Sequence, residues 1–268
     1  MSRELSLRLL LAVIGIPVLL YIFYTGGIFL FAFMGIISIL GMWEFSKMQA
    51  KTNFTTIINI LTTICIYVFV SKRFEFITMK LTPYSGIFAV IFLRVIFDLM
   101  YFKKQITNID YLLTIIGWIY IGLFPGFIYL LGNGYNSSKL LLLLLVLIWI
   151  TDSAAYFIGM RFGKHRGIFP VSPRKSLEGF IAGIIAPVIV SVILMLLFKF
   201  WTWYIVLLAA FCAGFFGQIG DLFESKIKRM GGVKDSSNII PGHGGILDRF
   251  DSLLIAGPVL YLLLIIIS

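Results

Sequence analysis

The 268 residues are 60% hydrophobic and 13% charged, with a mean hydropathy of +1.03 and a formal net charge of +10. Soluble domains run at about 45–50% apolar and about 25% charged, so this chain has too few charges to clothe a water-facing surface. That excludes a soluble enzyme, a disordered chain and a disulfide scaffold, and leaves an all-α polytopic membrane protein.

In chain order, apolar runs at 7–24, 27–43, 55–71, 83–101, 108–132, 140–159, 179–200, 202–220 and 251–267 predict about nine transmembrane helices. About 20 apolar residues cross a hydrocarbon core, and backbone polar groups in lipid must pair within their own helix. The first run follows Arg3 and Arg8 but lacks a small-residue cleavage site, so it is expected to be a retained span. With the N-terminus inside, 16 of the 22 Lys and Arg residues fall on inner segments, five outside and one, Arg94, within a span. This bias predicts a cytoplasmic N-terminus and an outside C-terminus. Arg94 and Asp98, four residues apart, read as a mutual pair within their helix. Cys65 and Cys212 lie in apolar runs and match neither zinc nor redox spacing. Two regions are expected: N-terminal helices over 1–135, and a catalytic region over 136–268 with cytoplasmic loops at 160–178 and 221–250.

The charges are scarce but clustered. Segments 152–178 and 221–251 carry 17 of the 34 charged residues and both histidines, His165 and His243. Both are expected on the inner side, where they can meet. Asp221 ends one span, while Asp248 and Asp251 open the next, three apart on one helical face. Such carboxylates suit Mg²⁺, a hard cation with oxygen ligands; acids at a helix start also complement its dipole. Between them, Pro241-Gly242-His243-Gly244-Gly245 is a glycine-rich turn before a helix N-terminus. It reads either as an anion cradle or as an ordinary helix approach. His243 reads as a proton carrier, a phosphate donor or a structural histidine. Lys226, Lys228, Arg229, Lys234 and Arg249, interleaved with these acids, fit a phosphate-plus-metal site better than a lipid-tethering patch. In the first segment, Arg174, Lys175 and Ser176 follow Pro173 and precede Glu178, a plausible phosphate cradle. Gly179 and Gly183 permit close helix packing, and Asp152 is an acid inside an apolar span.

Positions 225–251 run S-x-I-K-R-x4-K-D-x-S-x2-I-P-x-H-G-G-I-x-D-R-F-D. This pattern closely resembles the signature of the phosphatidate cytidylyltransferases, or CDP-diacylglycerol synthases, and the Ser172–Gly179 stretch S-P-R-K-S-L-E-G also looks like that family. The first 135 residues resemble it only in hydropathy. The resemblance implies transfer of CMP from CTP to phosphatidate at the cytoplasmic face, in phospholipid biosynthesis, by a homodimer in a bacterial inner membrane. It also implies Mg²⁺ on Asp221 and Asp248 with Asp251 nearby and, in some members, a monovalent cation such as K⁺. His243, Lys234 and Arg249 join the two aspartates as candidate catalytic residues. Arg174, Lys175, Ser176, Glu178, Ser225, Lys228, Arg229, Asp235, Gly244, Gly245 and Asp152 are candidates for binding substrate. Membrane lipids are expected partners and nucleic acid is not. Two other readings compete: a CTP-dependent polyprenol kinase, which would transfer the γ-phosphoryl, and an ion-coupled transporter, against which the one-sided clustering of charge speaks.

Overall fold

The computed structural model describes residues 3–71, 108–134, 138–198, 202–240 and 244–267. Its named elements are all helices. They are α1 (Arg3–Thr25), α2 (Gly27–Met48), α3 (Asn53–Ser71) and α4, which runs without a break through Asn108–Gly117, Trp118–Leu123 and Phe124–Gly134. They continue with α5 (Ser138–Phe162), α6 (Leu177–Phe198), α7 (Trp203–Met230) and α8 (Leu247–Ile267). Seven stretches of the described residues, one in each of α2–α8, are long and apolar enough to cross a membrane. They coincide with seven of the expected spans, and the first expected span falls on α1. The expected span at 83–101, with Arg94 and Asp98, lies outside the described residues.

One boundary differs from expectation. The helix expected to end at residue 220 continues to Met230, which reduces the following loop to 231–246. At about 1.5 Å per residue, the 28 residues of α7 reach about 42 Å, beyond a hydrocarbon core of about 30 Å. The extension is amphipathic: Gly220, Glu224 and Ile227 are buried, whereas Lys226, Arg229 and Met230 are exposed. Lys228 and Arg229 also place positive charge in its last turn, where the helix dipole favours it.

Two helices contain a wide π turn. In α4 the Phe124 N–H donates to Ile119, and in α7 the Gly217 N–H donates to Cys212, each five residues back. One extra residue in a turn rotates the following helix by about 100°. In α7 this separates the apolar first half from the polar face that starts at Gln218. Helix α8 is the hub of the bundle, touching α2, α4, α5 and α7, and it buries Leu253, Leu254, Ala256, Leu260 and Leu264. The most extensive pairing is α5 with α6. There a Cβ on Gly179 would lie 2.6 Å from the Ala155 carbonyl and 3.0 Å from Gly159 Cα, so glycine lets the two backbones approach. The opposite side of α6, with Ile185, Ile189, Leu196 and Leu197, is exposed, as a lipid-facing helix requires.

Candidate active site

A cavity of about 520 Å³ opens between α5, the 163–176 loop, the start of α6 and the middle of α7. Helix α5 contributes Asp152, Ala155, Tyr156, Gly159 and Met160, spaced as one helical face. The loop contributes Arg166, Arg174, Lys175 and Ser176, and α7 contributes Gln218 and Asp221. The two charged segments therefore meet, and the contact is direct: Lys175 Nζ lies 2.5 Å from Asp221 Oδ2.

The loop is held by its own polar groups. Arg166 donates to the carbonyls of Gly159 at 2.9 Å and Gly163 at 3.2 Å, so its guanidinium closes the C-terminal end of α5. Arg166 and Ser176 face each other across the loop in an isolated antiparallel bridge, and the Leu177 N–H donates to the His165 carbonyl at 3.0 Å. The Ser176 hydroxyl caps α6 by accepting from the Gly179 N–H at 3.2 Å. Glu178 faces His165 instead of the cavity: its Oε1 lies 2.6 Å from His165 Nδ1 and also accepts from the His165 backbone N–H. This fastening leaves Arg174 and Lys175 at the cavity wall.

Behind the cavity lies a carboxylate-rich layer. Asp221, Glu224, Ser225 and Lys228 share one face of α7, and Asp248 and Asp251 approach from α8. Gly220 makes this possible, because a Cβ there would lie 2.5 Å from the Asp251 carbonyl oxygen. Ser225 donates to Asp221 at 3.4 Å. Lys228 pairs with Glu224 on its own helix and, at 2.6 Å, with Asp248 Oδ1. The second Asp248 oxygen accepts from the Ser236 N–H at 3.0 Å and the Gly245 N–H at 2.8 Å. Asp251 accepts from the Ser252 N–H at 2.7 Å, and the charges of Asp221, Asp152 and Lys228 act on it through space. The buried Tyr120 phenol, from the π turn of α4, lies within the field of Asp251, Glu224, Asp221 and Asp248.

The other expected residues lie further out. Arg229 donates to the Val233 carbonyl at 3.0 Å and closes the end of α7. Lys234, Asp235 and Arg249 are exposed. Gly244, with φ +83, pairs its carbonyl with the Ile240 N–H at 2.9 Å. His243 lies outside the described residues.

The chain entering α8 holds an anion that belongs to the protein itself. Glu44 of α2, with 0% of its surface exposed, accepts from the Ile246 and Leu247 N–H groups at 2.8 and 3.0 Å. Its carboxylate also accepts from the Ser236 hydroxyl at 2.8 Å and the Ser237 hydroxyl at 2.6 Å. Sequence reasoning missed Glu44. Its signal was an acid at the end of an apolar run, the same signal that singled out Asp221. Tyr120 and Gln218 gave no comparable signal, because a tyrosine or a glutamine among apolar residues is unremarked until its neighbours are known.

Could these residues hold Mg²⁺? Five carboxylates (Asp152, Asp221, Glu224, Asp248 and Asp251) face two ammonium groups, Lys175 and Lys228. Glu224 Oε1 is buried without a hydrogen-bond partner. An excess of hard oxygen donors over cations is the donor chemistry of a divalent-cation site. Among the described residues, however, no three Asp, Glu, His or Cys side chains close into a ready-made metal group. Lysine ammoniums occupy the carboxylate oxygens of Asp221 and Asp248 instead.

Comparison with known proteins gives the family. Residues 6–267 match the model of the cytidylyltransferase family. The chain is 32% identical over 263 residues to a phosphatidate cytidylyltransferase of Staphylococcus saprophyticus, 31% to one of Staphylococcus aureus strain COL and 30% to one of Staphylococcus epidermidis. Each alignment covers 97% of this chain and 99% of the relative. Neither the kinase nor the transporter reading gains support from these relatives.

Proposed function

This chain belongs to the cytidylyltransferase family, and on that premise we propose that it transfers the CMP moiety of CTP to phosphatidate. A phosphate oxygen of phosphatidate attacks the α-phosphorus of CTP, the bond from that phosphorus to the β-phosphate bridging oxygen breaks, and pyrophosphate leaves. CDP-diacylglycerol remains in the membrane for phospholipid biosynthesis. The observation that carries the proposal is the cavity lined by Arg174 and Lys175 in which Lys175 meets Asp221, at the junction of the two charged segments.

Both substrates are polyanions, so catalysis rests on bringing them together against repulsion and aligning them in line. Arg174 and Lys175 bind phosphate oxygens at the cavity wall, and the Ser176 hydroxyl, fixed as the α6 cap, donates its remaining proton there. Asp221 and Asp248, with Asp251 beside them, are the residues that would hold Mg²⁺. When bound, Mg²⁺ supplies charge that offsets the phosphates and the leaving pyrophosphate. Tyr156, Met160 and Phe180 give the cavity an apolar side suited to the glycerolipid end of phosphatidate. The site faces the cytoplasm of a bacterial inner membrane, where CTP is made, and the chain works as a homodimer.

Purified full-length chain, given phosphatidate, Mg²⁺ and CTP labelled at either the α- or the γ-phosphate, tests this reading. The α-label is expected in the lipid and the γ-label in pyrophosphate. A γ-label in lipid overturns the proposal. Asp248→Asn should abolish product while the chain remains folded, and an active Asp248→Asn enzyme removes the metal assignment.

A further inference from the structure

We propose that Glu44, from the N-terminal half of the chain, is a positioning residue that sets the metal-binding state of Asp248. This rests on the metal role proposed above for Asp248. Glu44 accepts four hydrogen bonds, from the hydroxyls of Ser236 and Ser237 and from the N–H groups of Ile246 and Leu247. The Gly245 N–H, next in the same run, goes to Asp248 Oδ2 at 2.8 Å. Three consecutive N–H groups at the start of α8 are thus divided between two carboxylates, one from α2 and one from α8 itself.

Ser236 links the two acids. Its hydroxyl lies 2.8 Å from Glu44 Oε2 and 3.1 Å from Asp248 Oδ2. A hydroxyl has one proton to donate, so Glu44 and Asp248 compete for it. While Glu44 takes that proton, Asp248 Oδ2 is left with the two backbone donors and keeps more of its charge for a cation. Loss of the Glu44 carboxylate hands the proton to Asp248 and frees the α8 N-terminus to move. The packing allows no slack: a Cβ on Gly245 would overlap Ser236 Oγ and come within 2.5 Å of Glu44 Oε1. Partners behind a metal-binding carboxylate commonly change metal affinity by about 10–100-fold when removed.

Glu44→Gln keeps the shape of the side chain but turns an NH₂ toward two of the four donors. In the full-length protein in lipid nanodiscs, this variant is expected to raise the Mn²⁺ dissociation constant, read by paramagnetic resonance without substrate, about tenfold. Amide exchange at Gly245, Ile246 and Leu247 should also speed up. In the transferase assay the Mg²⁺ concentration for half-maximal rate should rise by a similar factor, with the phosphatidate KM within twofold of wild type. Ser237→Ala, which removes one of the four bonds, should show the same pattern more weakly and keeps the test open if Glu44→Gln does not fold. Faster exchange with unchanged Mn²⁺ and Mg²⁺ dependence would overturn the proposal and leave Glu44 a brace for the fold. Unchanged exchange in both variants would overturn it too. Should wild-type protein make no CDP-lipid, the transferase reading fails, while the Mn²⁺ and exchange measurements still decide the role of Glu44.

Discussion

Lys228 and Lys175 hold similar positions against carboxylates, yet their substitutions should read out differently. Lys228 is enclosed between Glu224 and Asp248, with side-chain exposures of 12%, 1% and 7%. Lys228→Met strands two buried carboxylates, and removing one partner of a buried pair costs about 3–5 kcal/mol. The expected outcome is a large fall in the melting temperature of the detergent-purified protein. Lys175 sits at the cavity wall, 27% exposed, where solvent screens the loss of its partner. Lys175→Met should leave the melting temperature within a few degrees of wild type and lower kcat/KM about 100-fold, as removal of a charge-stabilising donor does. Comparable losses of stability in both variants would mean that Lys175 is structural. Composition alone ranked these lysines together; burial separates them.

At the scale of elements, the site depends on how closely α7 and α8 cross. Gly220→Ala places a methyl 2.5 Å from the Asp251 carbonyl oxygen and 3.0 Å from Ser252 Cα. Both contacts are backbone, so the helices must separate, at a cost of about 1–3 kcal/mol. Activity should fall by at least tenfold, because Asp221 and Asp251 move apart with their helices. Gly15→Ala on α1, whose Cβ meets nothing within 4 Å, is the control and should raise helix stability by up to about 1 kcal/mol. Thermal melts and rates on the two variants check both expectations; a Gly220→Ala enzyme of full activity would show that the crossing is looser than described. Most helices were legible in the sequence, because their apolar runs match the length a bilayer requires. The extension of α7 to Met230 was not, since its charged residues resemble a loop until Gly220, Glu224 and Ile227 are seen to be buried against neighbours.

At the scale of the molecule, the proposed sidedness gives its own test. In a Cys65→Ser background, Lys164→Cys and Lys234→Cys should react with an impermeant maleimide from the cytoplasmic side, and Lys139→Cys from the opposite side. All three lysines are exposed, and the remaining Cys212 is buried, so side of access decides the labelling. Labelling of Lys164→Cys and Lys139→Cys from the same side would overturn the topology read from basic residues. The bundle also ties its two halves together: α2 supplies Glu44 and α4 supplies Tyr120 to a site whose other residues lie beyond residue 150.

The sequence alone determined the class of this protein, because a chain so poor in charge has no stable fold in water, and it pointed to a candidate site, because the few charges it keeps are concentrated in two segments. It singled out Asp221, Asp248, Asp251, Arg174 and Lys175 as candidates. Only the tertiary structure decided what each charge faces: Lys175 meets Asp221, Glu178 turns to His165, Arg229 closes a helix, and the entry to α8 receives Glu44 from about 200 residues earlier. The physical reason is range. Hydropathy and helix periodicity are local properties that a short window of sequence carries, whereas the partner of a buried charge is chosen by helix crossings between residues far apart in the chain.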